Sequence, residues 1–156
     1  MADTAGSSFV YVIFIRSTPE RVWQALTTPE TIRRYWFGYF QESTWQKGAA
    51  WRLVNDAGKV ADAGEVLEID PPRRVVLRWR NEWNPALKDE GEARCEIELE
   101  QVDGAVKLSI VHSIAHPQSK FIESVAGGWP RILSNLKSLL ETGEVAMPAK
   151  SACAAD

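Results

Sequence analysis

A chain of 156 residues with 45% hydrophobic and 25% charged side chains can build one core, at a size where folding removes roughly 70% of the unfolded chain's surface from water. A formal net charge of −3 provides no broad positive field for a polyanion, which excludes nucleic acid as an expected partner. The two cysteines, Cys95 and Cys153, form neither a CxxC pair nor a disulfide framework, no apolar run approaches a bilayer span, and residues 1–8 lack the features of a secretion signal, so the expected compartment is the cytoplasm, with no membrane partner.

Residues 1–8 and 144–156 carry no periodicity and read as flexible ends around a single domain at 9–143. Phe9 to Ile15 is an apolar, β-branched and aromatic run of strand length. It ends at Ser17-Thr18-Pro19, where Thr18 or Ser17 caps a helix, Pro19 takes its first position and Glu20 meets the positive end of the helix dipole. That helix runs to about Leu26. Thr28-Pro29-Glu30 repeats the start signal and opens a second short helix through Arg34, which delivers Tyr35-Trp36-Phe37 and stops at Gly38. Tyr39 to Ser43, Ala49 to Val54 and Val60 to Asp70 read as strands, parted by turn residues at Lys47-Gly48 and Asn55-Asp56-Ala57-Gly58, and Pro71-Pro72 breaks the third.

Beyond that break the alternation is clean. Val75, Leu77 and Trp79 face one way, and Arg74, Val76, Arg78 and Arg80 the other. In Ala93 to Val102 the residues Ala93, Cys95, Ile97 and Leu99 oppose Arg94, Glu96, Glu98 and Glu100. Asp103-Gly104 signals a tight hairpin, after which Val106, Leu108, Ile110, His112 and Ile114 continue the apolar face. From Gln118 to about Thr142 the period becomes helical, with Phe121, Val125, Trp129, Leu133, Leu136 and Leu140 three or four apart, and Gly143 ends it. Strands that pair as hairpins in a meander leave one apolar face, and this last helix is the element long enough to cover it. Gly127-Gly128 predicts close packing of the helix on the sheet or a kink beside Pro130, which cannot donate to the helical ladder.

Three stretches carry a family resemblance across about Phe9 to Glu141. They are the run from Pro19 to Glu30 leading into Trp36, the run Gly64-Glu65-Val66 to Pro71-Pro72 and on to Trp79, and Gly128-Trp129-Pro130-Arg131-Ile132-Leu133-Ser134-Asn135-Leu136. In them the chain resembles the Hsp90-ATPase-activator-homologue branch of the START-like (SRPBCC) superfamily. The resemblance implies an α+β helix-grip fold, in which a curved antiparallel sheet of about six or seven strands wraps a long C-terminal helix with a cavity between them. Lipid carriers, hormone receptors, polyketide cyclases and chaperone activators share that scaffold, so the fold alone leaves the chemistry open.

The compositional outlier is tryptophan, with seven: Trp23, Trp36, Trp45, Trp51, Trp79, Trp83 and Trp129. Leu77, Trp79, Cys95, Ile97, Ile110 and His112 on the inner sheet face, Phe121, Val125 and Trp129 on the helix stripe, and Trp36 and Trp51 at the mouth are the expected ligand-lining residues. They either fill the core or line a cavity. His112 interrupts an aliphatic face, as a ligand-facing or acid–base group or as a core histidine bonded to a backbone carbonyl. The only other histidine, His116, lies beyond a strand end and beside Pro117, so no metal site and no cofactor are expected. No nucleophile elbow, phosphate loop or GxGxxG is present. Glu92, Glu96, Glu98 and Glu100 are expected to pair across the outer face with Arg74, Arg78 and Arg80.

Three readings follow: a monomeric or homodimeric binding protein for a small hydrophobic or aromatic ligand, with no catalytic residues assigned; a stress-related partner of an Hsp90-type chaperone; and a polyketide cyclase-like enzyme using His112 as acid or base.

Overall fold

The computed structural model describes residues 6–148. In chain order the elements are β1 (Ser7–Ile15), α1 (Pro19–Thr27), α2 (Pro29–Tyr35), β2 (Tyr39–Glu42), β3 (Ala50–Asn55), β4 (Val60–Asp70), β5 (Arg74–Asn81), α3 (Pro85–Lys88), β6 (Ala93–Val102), β7 (Ala105–Ile114) and α4 (Lys120–Thr142). The strands form one seven-stranded antiparallel sheet in the order β1-β7-β6-β5-β4-β3-β2. It is a meander from β2 to β7, onto which the N-terminal strand closes, and α4 crosses the inner face against β1 and β7. This is the expected helix-grip architecture.

Local chemistry sets the element ends. The Thr18 hydroxyl caps α1 by accepting from the Arg21 amide at 3.2 Å, with Pro19 at the first helical position. Thr28 makes no such bond, and α2 instead starts on backbone geometry and Pro29. Asp103 and Gly104 both take positive φ, as the two-residue turn between β6 and β7 requires. Gly143, at φ 91°, closes α4 with a left-handed cap that donates to the Leu139 carbonyl. Pro130 sits inside α4, which continues through it.

Three expectations need correction. The short helix α3 lies where the sequence reading places no element. Its start signal is Asn84-Pro85, where the Asn84 side chain caps the Ala86 amide at 3.1 Å. The first strand begins at Ser7 rather than Phe9, because Ser7 pairs with Ile114 and its hydroxyl donates to the His116 carbonyl. The segment after α4 is also tied down as far as the described residues reach. Fully buried Asn135 donates to the Met147 carbonyl at 2.9 Å and accepts from the Met147 amide at 2.7 Å. The expected flexibility of residues 1–5 and 149–156 lies outside the described residues.

Register arranges the inner face in rows. One row runs Trp51, Gly64, Trp79, Ala93, Ile114 from β3 to β7. The glycine in that row is obligatory: a Cβ on Gly64 would lie 1.6 Å from the Arg78 carbonyl oxygen. With no side chain between them, the Trp51 and Trp79 rings meet at 4.4 Å between centroids. The neighbouring row toward the sheet's mouth is Leu53, Asp62, Asn81. On the outer face Arg74 pairs with Glu68, Glu96 and Glu98, and Arg78 with Glu65 and Glu92, over the fully buried Val76. The cross-sheet pairing matches the expectation for Glu92, Glu96 and Glu98; Glu65 and Glu68 join it from β4.

Candidate functional site

Trp79 is the hub of the interior. Its ring stacks on Trp36 at 6.4 Å, meets Trp129 edge-on at 5.9 Å and lies 4.9 Å from His112, whose other side meets Phe121 at 5.2 Å. Trp36 and Trp129 close the cluster edge-to-face at 5.3 Å. Such offset and perpendicular geometries are those favoured by the ring quadrupoles. Two indole N–H groups have partners: Trp51 donates to the buried Gln41 side chain at 2.8 Å, and Trp129 to His112 Nδ1 at 3.1 Å.

The cavity expected between sheet and helix is filled. Among Leu77, Ile97, Ile110 and Leu133 the remaining void is about 10 Å³, room for no more than one water. Trp51, Cys95 and His112 are fully buried in the packing around it. Burial pushes the Cys95 thiol well up, which leaves it unreactive.

His112 accepts its hydrogen bond through Nδ1, so its proton sits on Nε2, for which the described residues offer no acceptor. Burial lowers its pKa to about 3 and keeps the ring neutral. The backbone-carbonyl partner anticipated for a core histidine is replaced by the Trp129 indole. An acid or base of a cyclase-like reaction has to be reached by its substrate, and His112 has 0% exposure.

The open space lies at the mouth. A cleft of about 170 Å³ runs between α4 and the ends of β3, β4 and β5, walled by Trp36, Trp79, Trp83, Phe121, Val125 and Trp129, with Asp62 and Asn81 on its floor. A wider recess of about 520 Å³ shares Trp36, Leu53, Asp62 and Trp83 with it. Five of the residues singled out in the sequence, Trp36, Trp79, Phe121, Val125 and Trp129, thus come together here. Gly128 lines the same cleft, and a Cβ built on it or on Gly127 meets nothing within 4 Å among the described residues. The expected close packing at this glycine pair is therefore replaced, at Gly128, by room in the cleft.

Asp62 is the residue that sequence reasoning missed. Only 8% exposed, it has an Oδ1 without a hydrogen-bond partner and no ion pair among the described residues. Burial raises its pKa to about 7. The nearby Trp79 and Asn81 side chains oppose that rise, and Glu82 adds to it. The Trp79 indole N–H is near enough to Asp62 to favour its charged form, but the two do not close a well-formed hydrogen bond. Period-two parity from Trp79's partner Gly64 would have placed Asp62 on the inner face, but a strand reading Val-Ala-Asp-Ala-Gly looks solvated. Trp83, 54% exposed, stands at the rim with the Lys59 ammonium 4.8 Å from its ring centroid.

The profile described as "Activator of Hsp90 ATPase homolog 1-like protein" matches residues 16–141. No curated protein sequence matches. Solved structures share the fold. The protein MLL2253 from Mesorhizobium loti is 23% identical with a TM-score of 0.75, over 89% of this chain and 100% of that one. The Aha1 dimer from Colwellia psychrerythraea is 21% identical at 0.69, over 88% and 98%. An HSP90 activator from Plasmodium falciparum is 24% identical at 0.69, over 85% and 95%.

Proposed function

The chain belongs to the Activator of Hsp90 ATPase homolog 1-like family, and from that premise we propose that it binds a small, largely apolar ligand in the cleft between α4 and the β3–β5 end of the sheet. The observation that carries this reading is the cleft itself: aromatic walls around a buried polar floor where Asp62 Oδ1 and the Trp79 N–H approach one another without closing a well-formed hydrogen bond. Buried polar atoms without partners are rare because each costs about 1–3 kcal/mol, and a ligand that supplies the missing bonds recovers that cost as affinity. The chaperone partnership has only the names of the relatives behind it.

Gly128→Leu projects a side chain into the cleft from a position where an added Cβ meets nothing within 4 Å among the described residues. Removing a helix glycine should also add roughly 0.5–1 kcal/mol of stability. Tryptophan fluorescence of the native chain should change saturably with at least one member of a panel of small aromatic and aliphatic compounds. Gly128→Leu should abolish that response while unfolding at the same or a higher temperature. An unaltered response in the variant would move the site elsewhere.

A further inference from the structure

Glu65, Glu68, Glu82, Glu92, Glu96 and Glu98 each pair with an arginine or lysine at the protein surface. Asp62, more deeply buried than any of them, has no ion partner among the described residues, and aromatic rings surround its cleft. A neutral apolar ligand would complete the burial of this carboxylate and offer it no compensating charge or hydrogen bond. An anion would meet both Asp62 and the nearby Glu82. A cation answers both features of the cleft, by Coulomb attraction to the carboxylate and by attraction to the negative faces of the indoles. The chain already displays that second interaction at the rim, where the Lys59 ammonium rests over Trp83.

We propose that the ligand of this cleft is an organic ammonium ion, held by its charge between the Asp62 carboxylate and the tryptophan walls, with its hydrocarbon body against Phe121 and Val125. The proposal rests on the cleft reading above and adds the charge of what binds there. The charged groups near Asp62 are Lys59, which lines the wider recess with it, and Glu82 after β5, itself paired with Arg80 and with Lys88 of α3. From α4 the cleft receives only uncharged residues. Lys59, which rests over Trp83, competes with the ligand for that ring, and Asp62 is the group whose ionisation controls the affinity.

Benzyltrimethylammonium, which is charged at every pH, and benzyl alcohol, a neutral aromatic of related shape, separate the two readings in equilibrium titrations of the full chain. At pH 8 the ammonium should bind at least about tenfold more tightly than the alcohol, and about tenfold more weakly at pH 6, where a carboxyl titrating near 7 is mostly protonated. Asp62→Asn should bring the two probes within about twofold of each other. Trp83→Ala, at an exposed position where folding is not at stake, should weaken the ammonium more than the alcohol, and Lys59→Met should strengthen the ammonium. Equal binding of both probes to the native chain would overturn the ammonium proposal and leave the cleft reading standing. Tight ammonium binding by Asp62→Asn would overturn the assignment of the carboxylate, and no binding of either probe would overturn both readings.

Discussion

Burial acts on Asp62 and His112 in opposite directions with respect to pH. For Asp62 the folded pKa of about 7 lies above the ordinary 3.8. Its protonated form suits the fold, and the associated stability is present below about pH 4 and lost as the pH rises through 7. For His112 the folded pKa of about 3 lies below the ordinary 6.5. The unfolded chain takes up the proton first, so stability grows as the pH rises from about 3 to about 6.5 and is complete above that. Asp62→Asn removes the first effect alone. Because a tenfold change in proton affinity on folding corresponds to about 1.4 kcal/mol, the substitution should raise unfolding stability in urea by about 2–4 kcal/mol at pH 8 and by little at pH 3.5. An equal effect at both pH values would mean that the carboxyl is solvated. His112→Ala should cost about 3 kcal/mol at pH 7, since it opens a hole beside Phe121 and strips the Trp129 indole of its acceptor. That loss is read from the urea midpoint.

Among the elements, α4 depends on a residue far away in sequence and β4 on one of its own glycines. The α4 N-terminus is capped twice. Ser119 accepts from the Ile122 amide at 3.0 Å, and the Glu90 carboxylate, from the loop before β6, accepts from Ser119 Oγ at 2.5 Å and from the Lys120 amide at 2.9 Å. Burial of Glu90 pushes its carboxyl up, but these hydrogen bonds more than offset it, and its pKa lies below the ordinary value. Glu90→Gln should cost about 1 kcal/mol at pH 7, and the difference from the native chain should vanish as acid protonates Glu90. In β4, Gly64→Ala drives a methyl into the β5 backbone, and a loss of at least about 2 kcal/mol is expected in thermal or urea unfolding. Both dependencies show where sequence legibility ended. Alternation exposed β5, β6 and β7 because each has one wet and one dry face, and the 3.6 period exposed α4. Nothing in the local pattern marks the parts that Glu90, Asn135 and Asn84-Pro85 play. Their roles depend on partners that only the folded chain brings near.

At the scale of the molecule, alternation made the β5–β7 meander and its one apolar face for one long helix legible. The helix-grip fold as a whole came from the family resemblance, and the closure of β1 on β7 is visible only in the folded chain. The location of the open space was not legible. Inner-face residues follow from parity, but whether they enclose a void depends on ring volumes and angles. Trp36, Trp51, Trp79 and Trp129 are large enough to fill the grip and leave room only beyond them, at the mouth. Gly128 and Asp62 define that room, one by lacking a side chain and the other by carrying a charge with no partner among the described residues. The central claim is that ligand enters this mouth and not the packed interior. Indole N–H resonances report it directly, because each tryptophan gives its own signal. On titrating benzyltrimethylammonium into the native chain, the signals of Trp36, Trp79 and Trp83 should shift together and saturate, while that of Trp51, held by Gln41 beneath the cluster, stays in place. Shifts led by Trp45 and Trp51 with the mouth signals unmoved would contradict the account.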